Sequence, residues 1–215
     1  MMSRYDATGL QAEFEPGSRG RVLRNRLGIR RVGDMQQAES DALIAVTRWA
    51  VGRFDIAHRF TADDLCELHR HWLGGIYEWA GLYRNVNIAK GGFMFAAAPQ
   101  VPRLMAEFER KELAAETPCA HMDAPRLAKA LARTHAELVI IHPFREGNGR
   151  CSRLLAYLMA LQAGLPTLDF DLLAGRGKKA YIAAIHAAFS GNYAPLEERF
   201  ASVIGRTSRP YGLSS

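Results

Sequence analysis

The chain has 215 residues, enough for one large or two small domains, and the 48% of residues that are hydrophobic can bury a core. The net charge of +6 favours an anionic ligand or partner, although no run of five basic residues indicates a nucleic-acid-binding tail. The three cysteines lack metal-ligand spacing and suit reduced thiols, and neither a signal peptide nor an apolar stretch of about 18 residues is recognisable, so we expect a cytoplasmic protein.

The first 33 residues are predicted to form a basic, irregular arm. Six arginines lie from Arg19 to Arg31, and the first 33 residues also contain Pro16 and several glycines. This arm is either a solvated extension laid across the body or a docking surface for an acidic partner. A single domain is predicted over residues 34–204, and the Ser- and Gly-rich tail over residues 205–215 is expected to fray.

One short β-hairpin is predicted within an otherwise helical chain. Residues 83–88 alternate polar and apolar side chains, which predicts a strand. Lys90, Gly91 and Gly92 predict the turn, and residues 93–95 the return strand. Helical periodicity predicts helices at residues 34–54, 61–72, 101–113, 178–190 and 195–203, with another beginning at Pro125. The predicted fold class is therefore all-α with one hairpin.

A polar stretch, residues 142–153, lies between two segments with helical periodicity. Pro143 ends the first helix, while Gly147 and Gly149 allow turns that expose backbone N–H groups. Arg150 and Arg153 are predicted in the first turn of the next helix, where cations oppose the helix dipole. An anion bound at this helix start would remove that conflict.

The residue types of this loop indicate a site for a polyphosphate with Mg²⁺. Two arginines match the geometry of phosphate oxygens. Glu146 would repel a bare phosphate unless a divalent cation lay between them. His142 is a candidate general base, because histidine titrates near neutral pH. The alternative is a polar loop with surface arginines.

The stretch matches the signature H-x-F-x-[D/E]-G-N-G-R-x-x-R of the Fic family at every defined position, and the chain resembles this family from about Arg21 to Val203. The resemblance implies an all-α domain with a hairpin flap. It also implies a bacterial enzyme that transfers AMP from ATP to a Tyr, Ser or Thr hydroxyl of a target protein. By this resemblance His142 is the base and Glu146 holds Mg²⁺.

The resemblance also implies how ATP would be bound. The backbone of Gly147, Asn148 and Gly149, with the Asn148 side chain, would form an anion hole for the α-phosphate. Arg150 and Arg153 would neutralise the outer phosphates, with Arg153 on the γ-phosphate.

Two further regions take roles from the resemblance. Tyr181 matches a tyrosine that contacts the purine, and a neighbouring asparagine position carries Phe189. The target-docking flap would hold a target segment by backbone pairing. It comprises Lys90, Gly91, Gly92, Phe93 and Met94.

Three other functions stay open. A Doc-like kinase branch of the family carries Ala and Lys near the two signature glycines, whereas this chain does not. Transfer of UMP or a choline-phosphate group is a second possibility, and a non-catalytic basic binding module is a third. An intact His142 and Glu146 argue against the module, since binding alone needs neither.

Inhibition of this enzyme is predicted to come from a separate protein. Self-inhibiting members of the family carry [S/T]-x-x-x-E-[G/N], and here only Glu146, inside the signature, precedes a Gly or Asn. We therefore expect a small antitoxin that acts in trans, as in a toxin–antitoxin pair.

Overall fold

A computed structural model describes residues 10–90 and 93–208. The predicted all-α fold class is confirmed, because helices dominate these residues and the only sheet among them is a two-stranded hairpin. The strands β1 (Ala89–Lys90) and β2 (Phe93–Met94) pair antiparallel, with Ala89 opposite Met94. The predicted turn residues Gly91 and Gly92 lie outside the described residues.

The helices follow the predicted order. The α-helices are α1 (Val32–Arg53), α2 (Ala62–Leu73), α3 (Val101–Phe108), α4 (Ala114–Glu116), α5 (Ala124–Ile141), α6 (Asn148–Gln162), α7 (Lys178–Phe189) and α8 (Ala194–Ser208). A π-helical turn, Glu109–Leu113, joins α3 to α4. Short 3₁₀ turns occur at Leu10–Ala12, Ala98–Gln100, Phe170–Leu173 and Gly175–Gly177.

The predicted strand over residues 83–88 is wrong, and the reason is visible in its hydrogen bonds. The backbone N–H of Arg84 donates to the carbonyl of Pro143 (2.8 Å), and that of Asn85 donates to the side chain of Gln11 (3.0 Å). Arg84, Val86 and Ile88 are nevertheless buried in alternation with exposed neighbours. Hairpin pairing reaches Ile88, whose carbonyl accepts from the N–H of Phe95 (3.1 Å). Over residues 83–87 the period of two therefore reports alternate burial and not a strand ladder.

The described residues group into two compact units. The first unit comprises residues 10–53, 62–106 and 141–151, and its core includes Leu65, Trp72, Met105 and Phe144. The second comprises residues 54–61, 107–140 and 152–208, with a core that includes Leu131, Leu155, Met159 and Phe200. Within the described residues, no helix combines the length and apolarity required to span a membrane.

The described part of the basic arm, residues 10–33, packs against the rest of the first unit. An isolated antiparallel bridge joins Phe14 to Leu23, and the N–H of Arg26 donates to the carbonyl of Ile76 (2.8 Å). Val22 and Leu23 are buried, while the six arginines from Arg19 to Arg31 are exposed. This matches an extension laid across the body. At the other end of the chain, α8 continues to Ser208, so residues 205–208 are helical and not frayed.

Candidate active site

His142 follows directly after helix α5, at the start of the signature loop. Its backbone has a φ of +54°, a left-handed conformation that is uncommon for a non-glycine residue. Its half-buried imidazole stacks on Phe95, which follows β2, with ring centroids 3.7 Å apart and an interplanar angle of 18°. The hairpin side therefore fixes the orientation of the candidate base.

The buried side chain of Asn148 closes the signature loop. Its Oδ1 accepts from the N–H of Phe144 (2.8 Å), and its Nδ2 donates to the carbonyl of the same residue (2.8 Å). We predicted that this side chain would contact phosphate, but its amide is engaged by the loop's own backbone. Donors for an anion are therefore backbone N–H groups, since the first N–H groups of α6 have no acceptor within the helix.

A buried histidine that the sequence did not single out supports this loop from below. The ring of His69 stacks on Phe144 at 3.9 Å. Its Nδ1 accepts from the N–H of Gly81 (2.8 Å), so the proton lies on Nε2, which faces the carbonyl of Glu146 at 3.1 Å. Burial lowers the pKa of His69 to about 4. It therefore acts as a neutral hydrogen-bonding spacer, and its position on α2 gave no sequence signal for this role.

Gly147 is constrained by both its backbone and its neighbours. Its φ is +83°, and a Cβ added there would lie 2.5 Å from the ring of Trp72. Its N–H donates to Oε1 of Glu146 (3.0 Å). Glycine is thus required at this position for conformation and for space. The side chain of Glu146 is about one-third exposed, so its carboxylate reaches solvent beside the loop.

Arg150 lies in the first turn of α6, as predicted, but its guanidinium is engaged by the protein. Nη1 donates to Oε2 of Glu39 at 2.7 Å, and the guanidinium lies over the ring of Trp72 at 4.6 Å. Nη2 lies 3.7 Å from Oε1 of Glu146. Arg150 therefore links a residue of α1 to the loop carboxylate, a different environment from the predicted one among outer phosphates.

Glu39, the residue that pairs with Arg150, was not predicted from the sequence. It is 6% exposed, its Oε1 accepts from the Tyr77 hydroxyl (2.7 Å), and its carbonyl accepts from Nε1 of Trp72 (2.8 Å). Burial, followed by the charge of Glu39, raises the pKa of Tyr77. No periodicity distinguishes Glu39 from the other polar residues of α1.

Two more residues of the signature stretch, Arg145 and Cys151, are buried and have structural roles. The guanidinium of Arg145 is buried, and its Nε donates to the carbonyl of Gln11, so the N-terminal arm is attached to the loop. Cys151 is 1% exposed, and burial raises the pKa of its thiol to about 12. A buried, protonated thiol is a poor nucleophile, so Cys151 is a small packing residue of α6.

The flap residues that the structure describes lie on the same unit as His142. Lys90 and Met94 are exposed, Met94 by 67%, and Phe93 is half-buried. Phe93 contacts Phe95 edge-to-face, with centroids 5.2 Å apart. An aromatic pair therefore connects β2 to the residue that stacks on His142.

The remaining predicted ATP ligands, Arg153 and Tyr181, belong to the second unit. Arg153 falls in the second turn of α6, one turn later than predicted. The Tyr181 hydroxyl is 2.8 Å from Nε2 of buried His135, whose Nδ1 is 2.7 Å from Oγ of Ser152. Burial, with Arg153 nearby, lowers the pKa of His135 to about 3. A neutral imidazole thus fixes the ring of Tyr181. Phe189, which stands at the asparagine position of the family, is 59% exposed.

Comparison with known proteins gives consistent matches. The sequence model of the Fic/DOC family matches residues 59–160. A probable protein adenylyltransferase, y4lH of Sinorhizobium fredii, is 34% identical over 188 residues, which cover 85% of this chain and 91% of that protein. Protein adenylyltransferase VbhT of Bartonella schoenbuchensis is 33% identical over 150 residues, covering 70% of this chain but only 31% of that protein.

A solved structure supports the fold. The BepC protein of Bartonella tribocorum with bound AMPPNP superposes with a TM-score of 0.72 at 23% identity, and the match covers 90% of this chain and 96% of that one.

Proposed function

This chain belongs to the Fic/DOC family, and on that premise we propose that it is a protein adenylyltransferase that transfers AMP from ATP to a hydroxyl group of a target protein. The observation that carries the proposal is the signature loop. It presents a histidine, a carboxylate and helix-start N–H groups within eight residues, and buried side chains hold it from several sides. Two relatives whose matches each cover 85% of this chain are named probable protein adenylyltransferases.

His142 would act as the general base. It would accept the proton of the target hydroxyl as the hydroxyl oxygen attacks the α-phosphorus, and the bond to the β-phosphate oxygen would break to release pyrophosphate. The stack on Phe95 supports this role, because a base must be held at a fixed angle to the attacking oxygen.

The phosphates would be held by the start of α6. The backbone N–H groups of Asn148 and Gly149 would bind the α-phosphate, as helix N-termini bind anions. The N–H of Gly147 would join them by leaving Oε1 of Glu146. Arg153 would take the γ-phosphate and Tyr181 the purine, as the family resemblance implies. Arg150, paired with Glu39, would orient the loop and balance its negative charge without contacting the phosphates directly.

Glu146 fits a role in holding Mg²⁺. The part of the chain that the structure describes contains no cluster of three His, Cys, Asp or Glu side chains that could ligate a metal. A single carboxylate is nevertheless the usual protein ligand where Mg²⁺ is bound mainly by substrate phosphates and water. The partly exposed Glu146 carboxylate meets that description. When bound, the ion would neutralise charge that develops on the phosphates.

Labelling of a cell lysate tests the proposed reaction. The purified chain is incubated with lysate and ATP labelled on either the α- or the γ-phosphate. We expect protein label from α-labelled ATP and none from γ-labelled ATP. Label from the γ-position alone would establish a kinase, and label from neither would leave a binding module, so both results reject AMP transfer.

We further propose that a small antitoxin restrains this enzyme in trans within the bacterial cytoplasm. The support is the sequence, in which no glutamate outside the signature precedes Gly or Asn. The isolated chain should therefore bind ATP and modify itself without an activating change. A large gain of either activity on removing residues 1–20 or 206–215 would show built-in inhibition instead.

A further inference from the structure

Arg84 lies between the hairpin and the end of α5, and it is only 2% exposed. Its guanidinium donates to four backbone carbonyl oxygens, those of Val86 (2.8 Å), Ala96 (2.5 Å), Ile141 (3.3 Å) and His142 (2.6 Å). Its own backbone N–H donates to the carbonyl of Pro143 (2.8 Å). One side chain therefore joins the two ends of the hairpin to Ile141 and His142, which lie 57 and 58 residues away in sequence.

The positions of these carbonyls define what Arg84 holds together. Val86 precedes β1 and Ala96 follows β2, so these two contacts close the base of the hairpin. Ile141 is the last residue of α5 and His142 is the candidate base. Carbonyls at a helix C-terminus lack N–H partners within the helix and carry partial negative charge, which stabilises a buried cation.

We propose that Arg84 is a positioning residue that clamps the hairpin and His142 into one rigid body. The guanidinium is suited to this task because it presents donors in a fixed fork, whereas a lysine ammonium cannot reach four dispersed acceptors. His142 needs such support, because its left-handed φ is strained for a side chain with a Cβ. The stacked rings of Phe95 and His142 add a side-chain contact between the hairpin and the signature loop.

The consequence for catalysis rests on the proposed function. A hairpin that presents a target segment must deliver the hydroxyl within reach of the base. With Arg84 in place, any segment paired to the hairpin would meet the imidazole in a constant register. Loss of the clamp should therefore reduce the turnover of AMP transfer and leave ATP binding to the loop's N–H groups largely intact.

The first test measures the clamp without using enzyme activity. Lys90 lies in β1 and is exposed, so trypsin cleavage after Lys90 reports opening of the hairpin. We compare wild type with Arg84→Met, Arg84→Lys and the control Arg48→Lys, a change at an exposed residue of α1. The cleavage rate at Lys90, followed by mass spectrometry, should rise about tenfold or more in Arg84→Met, less in Arg84→Lys, and stay constant in the control.

The second test separates positioning from general structural support. For Arg84→Met, kcat of AMP transfer should fall about 10²-fold, while the Kd for ATP should change by less than about twofold. Arg84→Lys should recover part of kcat. If Arg84→Met loses its helical circular dichroism, the Arg84→Lys chain decides both tests.

Two outcomes would overturn the clamp. One is an unchanged cleavage rate at Lys90 in both variants, and the other is a loss of ATP affinity in step with kcat. A wild-type chain that transfers no AMP would reject the proposed function alone, because the trypsin test still decides whether Arg84 holds the hairpin.

Discussion

At the scale of single residues, the orientation of His142 predicts a sharp separation between catalysis and binding. The imidazole is held by its stack on Phe95, and the N–H groups proposed to bind phosphate belong to other residues. His142→Ala should therefore lower AMP transfer by about 10²–10⁴-fold, the usual contribution of a general base, and leave ATP affinity unchanged. Labelling with α-tagged ATP and isothermal titration calorimetry measure the two quantities.

The control for this variant is His121→Ala, since His121 is exposed in the loop before α5. It should retain full turnover. Near-full turnover of His142→Ala with a protein acceptor would reject the base assignment, and a parallel loss of ATP binding would show that the loop itself had been disturbed.

The buried pair between Glu39 and Arg150 leads to a prediction about stability. Glu39→Gln keeps an acceptor for the Tyr77 hydroxyl but removes the charge that faces Arg150. We expect the free energy of unfolding to fall by about 1.5–3 kcal/mol, the range for a hydrogen bond to a charged group. Urea denaturation followed by circular dichroism measures this change.

A surface pair provides the matched control. Glu67 lies 3.6 Å from Arg53, and the two side chains are 31% and 47% exposed. Glu67→Gln should cost no more than about 1 kcal/mol, because exposed ion pairs contribute little. If Glu39→Gln and Glu67→Gln lowered the free energy of unfolding equally, burial would add nothing to the contact between Glu39 and Arg150.

At the scale of elements, the signature loop predicts two separable effects of glycine replacement. Gly147 and Gly164 have almost the same left-handed φ, +83° and +80°. A Cβ at Gly147 would overlap Trp72, whereas a Cβ at Gly164 would meet nothing within 4 Å. Gly164→Ala should cost about 1–2 kcal/mol of unfolding free energy from backbone strain alone. Gly147→Ala should cost more and also abolish AMP transfer, as the loop shifts away from Trp72.

Urea denaturation and α-labelled ATP measure these two effects. A Gly147→Ala chain that matches Gly164→Ala in stability and keeps its activity would show that Trp72 yields easily, and that the loop tolerates a displaced backbone.

The elements also show which features were predictable from sequence. Local patterns suffice for the helices, for example the helix predicted at residues 61–72, which is α2 and buries its apolar residues Leu65, Leu68 and Trp72. The alternating segment over residues 83–88 differs from the predicted strand because the N–H groups of Arg84 and Asn85 donate to Pro143 and Gln11, which are distant in sequence. The role of Glu39 could not be predicted from the sequence for the same reason, since its partners Trp72, Tyr77 and Arg150 lie outside α1.

At the scale of the whole molecule, two buried histidines make stability depend on pH. His69 and His135 are 0% and 1% exposed, and burial lowers their pKa values to about 4 and about 3. In the unfolded chain histidine titrates near pH 6.5. Below that pH the two histidines bind protons in the unfolded chain, whereas in the folded chain they stay neutral until the pH reaches their lowered pKa values. Stability is therefore full above about pH 6.5 and falls as the pH drops toward 4, by up to about 1.4 kcal/mol per pH unit for each imidazole.

Urea unfolding at half-unit steps from pH 7.5 to 4.5 measures this slope. His121→Asn serves as the control substitution, because His121 is exposed and asparagine tolerates its φ of +67°. His69→Gln should lower stability at pH 7, since the contacts with Gly81 and Glu146 are weakened, but it should reduce the loss between pH 6.5 and 4.5. If stability fell as much between pH 6.5 and 4.5 in His69→Gln as in wild type, His69 would take up a proton without unfolding the chain. The interpretation of His69 as a neutral spacer beneath the signature loop would then be rejected.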